Sequence, residues 1–192
     1  MVRAGIGDVV NNLSAIADWE LAGADRSEPI DGLAVMLART AAQAVLHQPG
    51  TVGDDEFLTV LAESLVLSGI AMTVAGSSRP CSGGDHEILH AIDQLFPGAG
   101  NHGELAGVGA LFCTYLRGDE RLGSLMSACL ARHELPRVPA DLGLSHAEFT
   151  KAVLHAPATR PGRYTILERL ALDECAIAQR VEGFAVAIKS EG

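Results

Sequence analysis

The sequence predicts an all-α fold, a helical bundle-like domain, and three observations lead there. Apolar residues recur three and four positions apart in segment after segment, the spacing that places them on one face of a helix. Hydrophobic residues make up 48% of the chain and aromatic residues only 4%, so the apolar material is mainly Ala, Leu, Val and Ile, which suits helices packed through small side chains. The breaks between these segments are rich in Pro and Gly, and few stretches alternate in the manner of strands. The 192 residues suffice for one globular unit with a substantial core, and we treat 1–192 as a single domain.

The elements follow in order. Residues 8–24 carry Val9, Leu13, Ile16, Ala17 and Leu21 at helical spacing, and 29–47 repeat the pattern with Leu33, Met36, Leu37, Ala41 and Val45. "HQPGTVGDD" breaks the chain, and Asp54 or Asp55 can cap the next helix, over 54–75. "GSSRPCSGG" is a second break, in which Pro80 biases Arg79 towards an extended conformation. A helix through "DHEILHAIDQLF" ends at "PGAG"; Asn101 then caps a helix through "ELAGVGALFCTYLRG", with Glu104 as its capping-box partner. Further helices fit 120–133, 145–156 and a C-terminal segment over 165–185, with Pro136, Pro139, Pro157 and Pro161 in the connections.

Charge and cysteine usage narrow the function classes. The formal net charge of −10 and the lack of basic runs argue against nucleic acid or an anionic membrane as partner, without excluding a small anion at one local positive site. Cys81, Cys113, Cys129 and Cys175 lie far apart with no CxxC pair, which suits reduced cysteines in a cytoplasmic protein rather than a disulfide framework or zinc knuckle. The amino-terminal "MVRAGIGDVVNNLSAIADWELA" does not read as a signal peptide, and no window approaches eighteen uninterrupted apolar residues, so no membrane span is expected. A dinucleotide-binding turn needs a strand before it and a helix after it. "AGIGD" has no strand before it and "GVG" lies inside a helical pattern, so neither is a nucleotide loop.

The stretch with chemical promise is "GSSRPCSGGDHEILHAIDQLFPGAGNHGE", which holds three of the seven histidines. His86 and His90, four apart, share a helix face, and a reversal at "FPGAGN" can return His102 beside them. Two imidazoles and a carboxylate make an open site for Zn²⁺ or Fe²⁺. The alternative is ordinary histidines on ordinary helices, because such pairs arise by chance and the HExxH pattern is not matched. Asp85 and Glu87 are further candidate partners, or solvated acids.

Four segments taken together resemble a known family. "AGIGDVVNNLSAIADWELA", "SGIAMTVAGSSRPCSGGDHEILHAID", "NHGELAGVGALF" and "RPGRYTILERL" are collinear with the metal-binding, C-terminal half of the sn-glycerol-1-phosphate dehydrogenases, over residues 4–172. These belong to the wider superfamily of dehydroquinate synthases and iron-containing alcohol dehydrogenases. The resemblance implies the all-helical C-terminal domain of that fold. It implies Asp8 as carboxylate ligand and substrate contact, His86 and His102 as imidazole ligands, and His90 as a catalytic contact to the substrate hydroxyls. It implies a divalent metal, with Zn²⁺ first and Fe²⁺ or Ni²⁺ also accepted by the ligand set, and a small phosphorylated polyol or sugar as substrate. Arg79 and its neighbouring backbone amides are candidates for holding a phosphate, with a structural hydrogen bond to a loop carbonyl as the competing role. Cys81 stands where the family usually has Ala.

The larger departure is that the family's Rossmann-like, NAD(P)-binding domain has no counterpart here, so no cofactor-binding residue is assigned. Three readings follow. The chain is the metal and substrate half of a dehydrogenase completed by a separate NAD(P)-binding subunit. Or it is a truncated fragment of a full-length enzyme. Or it is a metal-dependent non-redox enzyme or binding protein acting on a phosphorylated polyol. An apolar wall left bare by the missing domain should favour a partner or a homo-oligomer.

Overall fold

A computed structural model describes residues 2–190. It contains ten α-helices and no strand among the described residues, as the aliphatic periodicity requires. In chain order they are α1 (Val2–Val10), α2 (Asn12–Arg26), α3 (Gly32–His47), α4 (Asp55–Ala75), α5 (Gly84–Leu95), α6 (His102–Arg117), α7 (Glu120–Arg132), α8 (His146–Thr159), α9 (Ile166–Leu170) and α10 (Glu174–Ser190). Single 3₁₀ turns occupy Arg79–Cys81 and Pro139–Leu142.

The bundle is organised about α6, which is buried along most of its length from Gly103 to Thr114. Helices α1, α5, α7 and α10 pack around it. Phe112 on α6 meets Phe149 of α8 and Phe184 of α10 edge to face, with ring centroids 5.3 and 5.4 Å apart. Most of the remaining core is aliphatic, from Ile6 and Val10 on α1 to Ile88 and Ile92 on α5, with Phe57, Met126, Cys113 and Cys129 also buried in it.

Small residues set how closely these helices approach. A Cβ placed on Gly7 of α1 would lie 2.0 Å from the Gly103 carbonyl oxygen, and one on Gly103 would lie 1.7 Å from the Ala4 carbonyl oxygen. A Cβ on Gly109 would come within 2.6 Å of the Asp85 carbonyl oxygen on α5. Gly7 of "AGIGD" and Gly109 of "GVG" are therefore packing residues: with Gly103 they bring α1 and α5 into backbone contact with α6.

Buried polar groups tie the ends of the helices together. Asp18 on α2 is fully buried; its carboxylate accepts N–H bonds from Gly84 (2.8 Å) and Ile166 (2.8 Å), the first residues of α5 and α9. Arg117 of α6 forms an ion pair with it. Burial pushes the Asp18 carboxyl up from its ordinary value, against the opposing pull of Arg117 and the Gly84 N–H.

Several boundaries differ from those read off the periodicity. The segment 8–24 belongs to two helices that meet at Asn11, which keeps helical backbone with its N–H on the Gly7 carbonyl (3.1 Å) while its side-chain amide donates to the Asp8 carbonyl (3.0 Å). The segment 165–185 is also two helices, parted where Ala171 takes left-handed backbone (φ 45°), and Asp173 caps the second by accepting from Ala176 N–H (2.9 Å). Pro157 lies inside the last turn of α8, not in a connection. Asp54 precedes α4, but its carboxylate accepts from Thr51 N–H (2.7 Å), not from the helix. At α6 the Glu104 carboxylate accepts the Asn101 backbone N–H at 2.8 Å, as the capping box requires.

Helix α4 is long and apolar enough to cross a bilayer by length and composition alone, with mean hydropathy 1.9, although it contains no long uninterrupted apolar run. It packs on α3, and its Phe57, Leu61 and Ala71 are buried. Leu65, Val66, Ile70 and Val74 are exposed on it, as are Leu33 and Met36 on α3. These side chains are part of the exposed apolar surface, which also includes Leu125, Leu154, Leu170 and Val186 on other helices.

The backbone contacts give a paired expectation. Gly103→Ala should cost about 3 kcal/mol or more, since its methyl group would overlap backbone that side-chain motion cannot relieve. Gly69→Ala, where an added Cβ meets nothing within 4 Å, should stabilise by roughly 0.5–1 kcal/mol through helix propensity. Urea unfolding of the two variants beside the parent chain measures both.

Candidate metal centre

Three donors converge where α1, α5 and α6 meet. Asp8 lies near the end of α1, His86 in the first turn of α5 and His102 at the first position of α6. His86 Nε2 is 3.3 Å from His102 Nε2 and 3.7 Å from Asp8 Oδ1, and His102 Nε2 is 3.4 Å from the same oxygen. A tetrahedral cation with N and O bonds of about 2.0–2.2 Å holds its ligands about 3.4 Å apart. The three distances match that edge length, so this donor set can accept a divalent cation with one position left open. His86 is nearly enclosed, Asp8 half-buried and the His102 side chain 55% exposed, so access is from the His102 side.

The sequence brings these groups together through the glycine contacts. Gly7 precedes Asp8, and Gly103 follows His102. Their close approach sets the carboxylate and the imidazole side by side. On α5, the Asp18 bond to Gly84 N–H fixes the helix start two residues before His86. Asp85, fully buried, accepts from His86 Nδ1 at 2.7 Å and from Gly83 N–H at 3.1 Å. That bond places the proton on Nδ1 and leaves Nε2 with its lone pair towards Asp8 and His102, the arrangement in which an imidazole serves as a ligand.

The neighbouring acids and thiol have other tasks. Asp85 and Glu87 are both buried rather than solvated. Glu87 turns away from the cluster, accepting from Thr165 Oγ1 at 3.0 Å. Burial, helped by the Glu168 charge and opposed by the Thr165 bond, pushes its carboxyl from an ordinary 4.5 up to about 9. Cys81 is pushed up to about 12 by burial and by Asp8, so it remains a thiol and offers no thiolate at neutral pH.

His90 lies one turn beyond His86, with ring centroids 6.2 Å apart. Burial, then the charges of Arg160, His86 and His102, lower its pKa, which keeps the ring neutral and able to donate at one nitrogen and accept at the other. Arg79 sits apart from this cluster of partners. Its guanidinium bonds both oxygens of Glu28, with Nε to Oε1 at 2.5 Å, and donates from Nη1 to the Tyr164 carbonyl (3.0 Å). That is the loop-tying role set against phosphate binding in the sequence, and it leaves the guanidinium neutralised.

Residues that the sequence reading did not single out complete the surroundings. Asp18 starts α5. Arg160 and Arg163 reach from the "RPGR" loop to the "GSSRPCSGG" loop: Arg160 bonds the Ser82 and Ser78 hydroxyls, and Arg163 bonds the Ser82 carbonyl and the Ser78 hydroxyl. A pair of arginines flanking Pro-Gly was the available signal. Asp18 offered none, since a single acid within an amphipathic helix reads as solvated.

Comparison with known proteins adds a lineage. No family model matches the chain. A glycerol-1-phosphate dehydrogenase (NAD(P)+) of Methanosphaerula palustris is 36% identical over 180 residues, 93% of this chain and 50% of that protein. The glycerol-1-phosphate dehydrogenase (NAD(P)+) of Cenarchaeum symbiosum is 36% identical over 190 residues, 96% of this chain and 52% of that protein. The chain thus spans about half the length of the curated relatives it matches. Among solved structures, a probable glycerol dehydrogenase from Sinorhizobium meliloti 1021 superposes with a TM-score of 0.69 at 20% identity, over 98% of this chain and 55% of that one, which establishes a shared fold.

Glu87 supplies a pH test of this buried arrangement. Its carboxyl ionises near 4.5 in the unfolded chain and near 9 in the folded one. Its contribution to stability is therefore complete below pH 4.5 and is lost progressively as the pH rises towards 9. Glu87→Gln should gain stability relative to the parent between pH 5 and pH 8, on the order of the shift predicted by linkage. Urea midpoints of both proteins across that range would show parallel curves if Glu87 were ionised in the fold.

Proposed function

Because the chain is related, over nearly its whole length, to the C-terminal, helical domain of the glycerol-1-phosphate dehydrogenase family, we propose that it provides the metal and substrate side of a polyol-phosphate dehydrogenase. The nicotinamide would come from an NAD(P)-binding part outside these residues, whether a partner subunit or another stretch of a longer polypeptide. The observation that carries this reading is the convergence of Asp8, His86 and His102 at tetrahedral ligand spacing, with Asp85 behind His86.

In this reading Asp8, His86 and His102 hold a divalent cation. Zn²⁺ suits two imidazoles and a carboxylate, and Fe²⁺ or Ni²⁺ accepts the same donors. When bound, such an ion supplies Lewis-acid polarisation of a hydroxyl or carbonyl oxygen. The chain's own contribution is placement. Asp85 locks the His86 ring, the α1–α6 contact fixes Asp8 against His102, and the neutral His90 orients a neighbouring substrate hydroxyl and passes a proton to or from it. The exposed apolar side chains of α3 and α4 support a role for a second body, either the nucleotide-binding part or another copy of the chain. The free cysteines, with Cys81, Cys113 and Cys129 buried, suit a reducing compartment.

A metal-dependent binding protein or non-redox enzyme is the second reading, supported by the fact that Asp8, His86 and His102, three cation donors, all come from this chain. Two measurements separate the cases. Elemental analysis of the purified protein should find one cation per chain, and His86→Ala or Asp8→Asn should abolish it; Asp85→Asn should weaken metal affinity by roughly 10–100-fold while leaving the ligands in place. Equal metal content in the parent and the ligand variants would end both metal readings. Supplying the nucleotide-binding half of a curated relative as a separate polypeptide should produce glycerol-1-phosphate-dependent reduction of NAD(P)⁺. Metal binding with substrate turnover in the absence of nicotinamide would instead favour the non-redox reading.

A further inference from the structure

A cleft of about 520 Å³ opens beside the "RPGR" loop, lined by Glu28, Ser77, Arg79, Thr159, Arg160 and Arg163 among others. Three guanidiniums meet there on a protein whose formal net charge is −10. Only one of them is neutralised: Arg79 is bonded to Glu28, whereas neither Arg160 nor Arg163 has a carboxylate within 4 Å among the described residues. Their partners are neutral, the hydroxyls of Ser78 and Ser82 and the Ser82 carbonyl. Burial, then the charges of Arg160 and Arg79, bring the Arg163 guanidinium down to about 10, against the smaller opposing pull of the Glu87 and Glu28 charges. Gathering like charges against neutral acceptors costs free energy, and an anion would recover it.

The cleft is joined to the metal centre rather than scattered over the surface. Thr159 Oγ1, at the start of the arginine loop, donates to the Glu87 carbonyl on α5 (3.3 Å). Ser82, held by both arginines, lies just before the α5 turn that carries His86. The charge of Arg160 is felt at the His90 ring.

We propose that Arg160 and Arg163, with the Ser78 hydroxyl between them, hold the phosphate of a phosphorylated polyol whose hydroxyl end reaches His90 and the Asp8–His86–His102 cluster. This rests on the functional reading above and assigns the phosphate to residues other than Arg79. Guanidinium forks suit a phosphate because two parallel N–H donors match two of its oxygens. The Ser78 hydroxyl, at 3.3 Å from Arg160 Nη2 and 3.2 Å from Arg163 Nη2, marks the point where both forks converge. A nucleotide phosphate is the competing source of the same chemistry; the bonds of both arginines to Ser82, two residues before α5, favour the smaller ligand, which also has to reach His90 on that helix.

Calorimetric titration of the full chain with glycerol 1-phosphate, glycerol, inorganic phosphate and NADP⁺ tests the assignment. The parent should bind glycerol 1-phosphate and inorganic phosphate. The double variant Arg160→Gln/Arg163→Gln should lose at least tenfold in affinity for both, with metal content and melting temperature kept. Arg163→Lys, which keeps the charge but loses the fork, should fall between, and it remains informative should the double variant fold poorly. Equal phosphate affinity in the parent and the folded variants would overturn the proposal, as would a parent that binds no phosphate at millimolar concentration. NADP⁺ displacing inorganic phosphate from the arginines more tightly than glycerol 1-phosphate would overturn the polyol assignment. Metal binding without phosphate binding would refute this site and leave the metal reading intact. Phosphate held by the arginines in a protein that takes no metal would do the reverse.

Discussion

The contact between α1 and α6 is the constraint on which the rest of the site depends. Two glycines, Gly7 and Gly103, let the helix backbones touch where any side chain would overlap a carbonyl oxygen. Asp8 and His102 are the chain neighbours of those glycines, so the position of the donors follows from the packing of the scaffold. A third glycine, Gly109, does the same for α5, setting Asp85 and its neighbour His86 against α6. Elements placed by backbone contact are held more tightly than side chains on long loops, and sites built on them gain the precision that ligand geometry needs.

Around this contact the protein buries acids in graded roles. Asp18 shares its charge among two helix starts and Arg117. Asp85 is engaged by one imidazole and one amide. Glu87 is driven towards its neutral form and bonded to a hydroxyl. The three differ because their partners differ: a cation, a titratable ring and a neutral donor. The outcome is one carboxylate behind His86 instead of several competing for it, and that keeps a single ring nitrogen free. Positive charge is gathered on other residues, Arg160 and Arg163, which bond Ser78 and Ser82 of the "GSSRPCSGG" loop.

How much of this was legible in the sequence varies by the range of the interaction. Helix periodicity, the Asn101–Glu104 cap and the juxtaposition of His86 with His102 depend on neighbours within a few turns, and they could be read directly. Asp8 entered only through family resemblance, because no local spacing links it to histidines on α5 and α6. "GVG" was readable as helical, but its reason, contact with Asp85 on another helix, was not. Asp18 looked like one more surface acid on an amphipathic helix, and its burial depends on α5 and α9 arriving from distant sequence. Arg79 stood in a suggestive loop, yet Glu28 and Tyr164 claim it. The helix breaks at Asn11 and Ala171 come from side-chain and backbone choices that hydrophobic pattern does not encode.

The unequal enclosure of the three donors has a kinetic meaning. His86 is walled in and braced by Asp85, Asp8 is half-covered, and His102 faces solvent. A cation arriving from water would meet the outer imidazole before the inner one. Departure would run in the opposite order, with the braced ring letting go last. The site therefore has a latch and an anchor. Its occupancy would follow the free-metal pool around it instead of being fixed at the moment of folding.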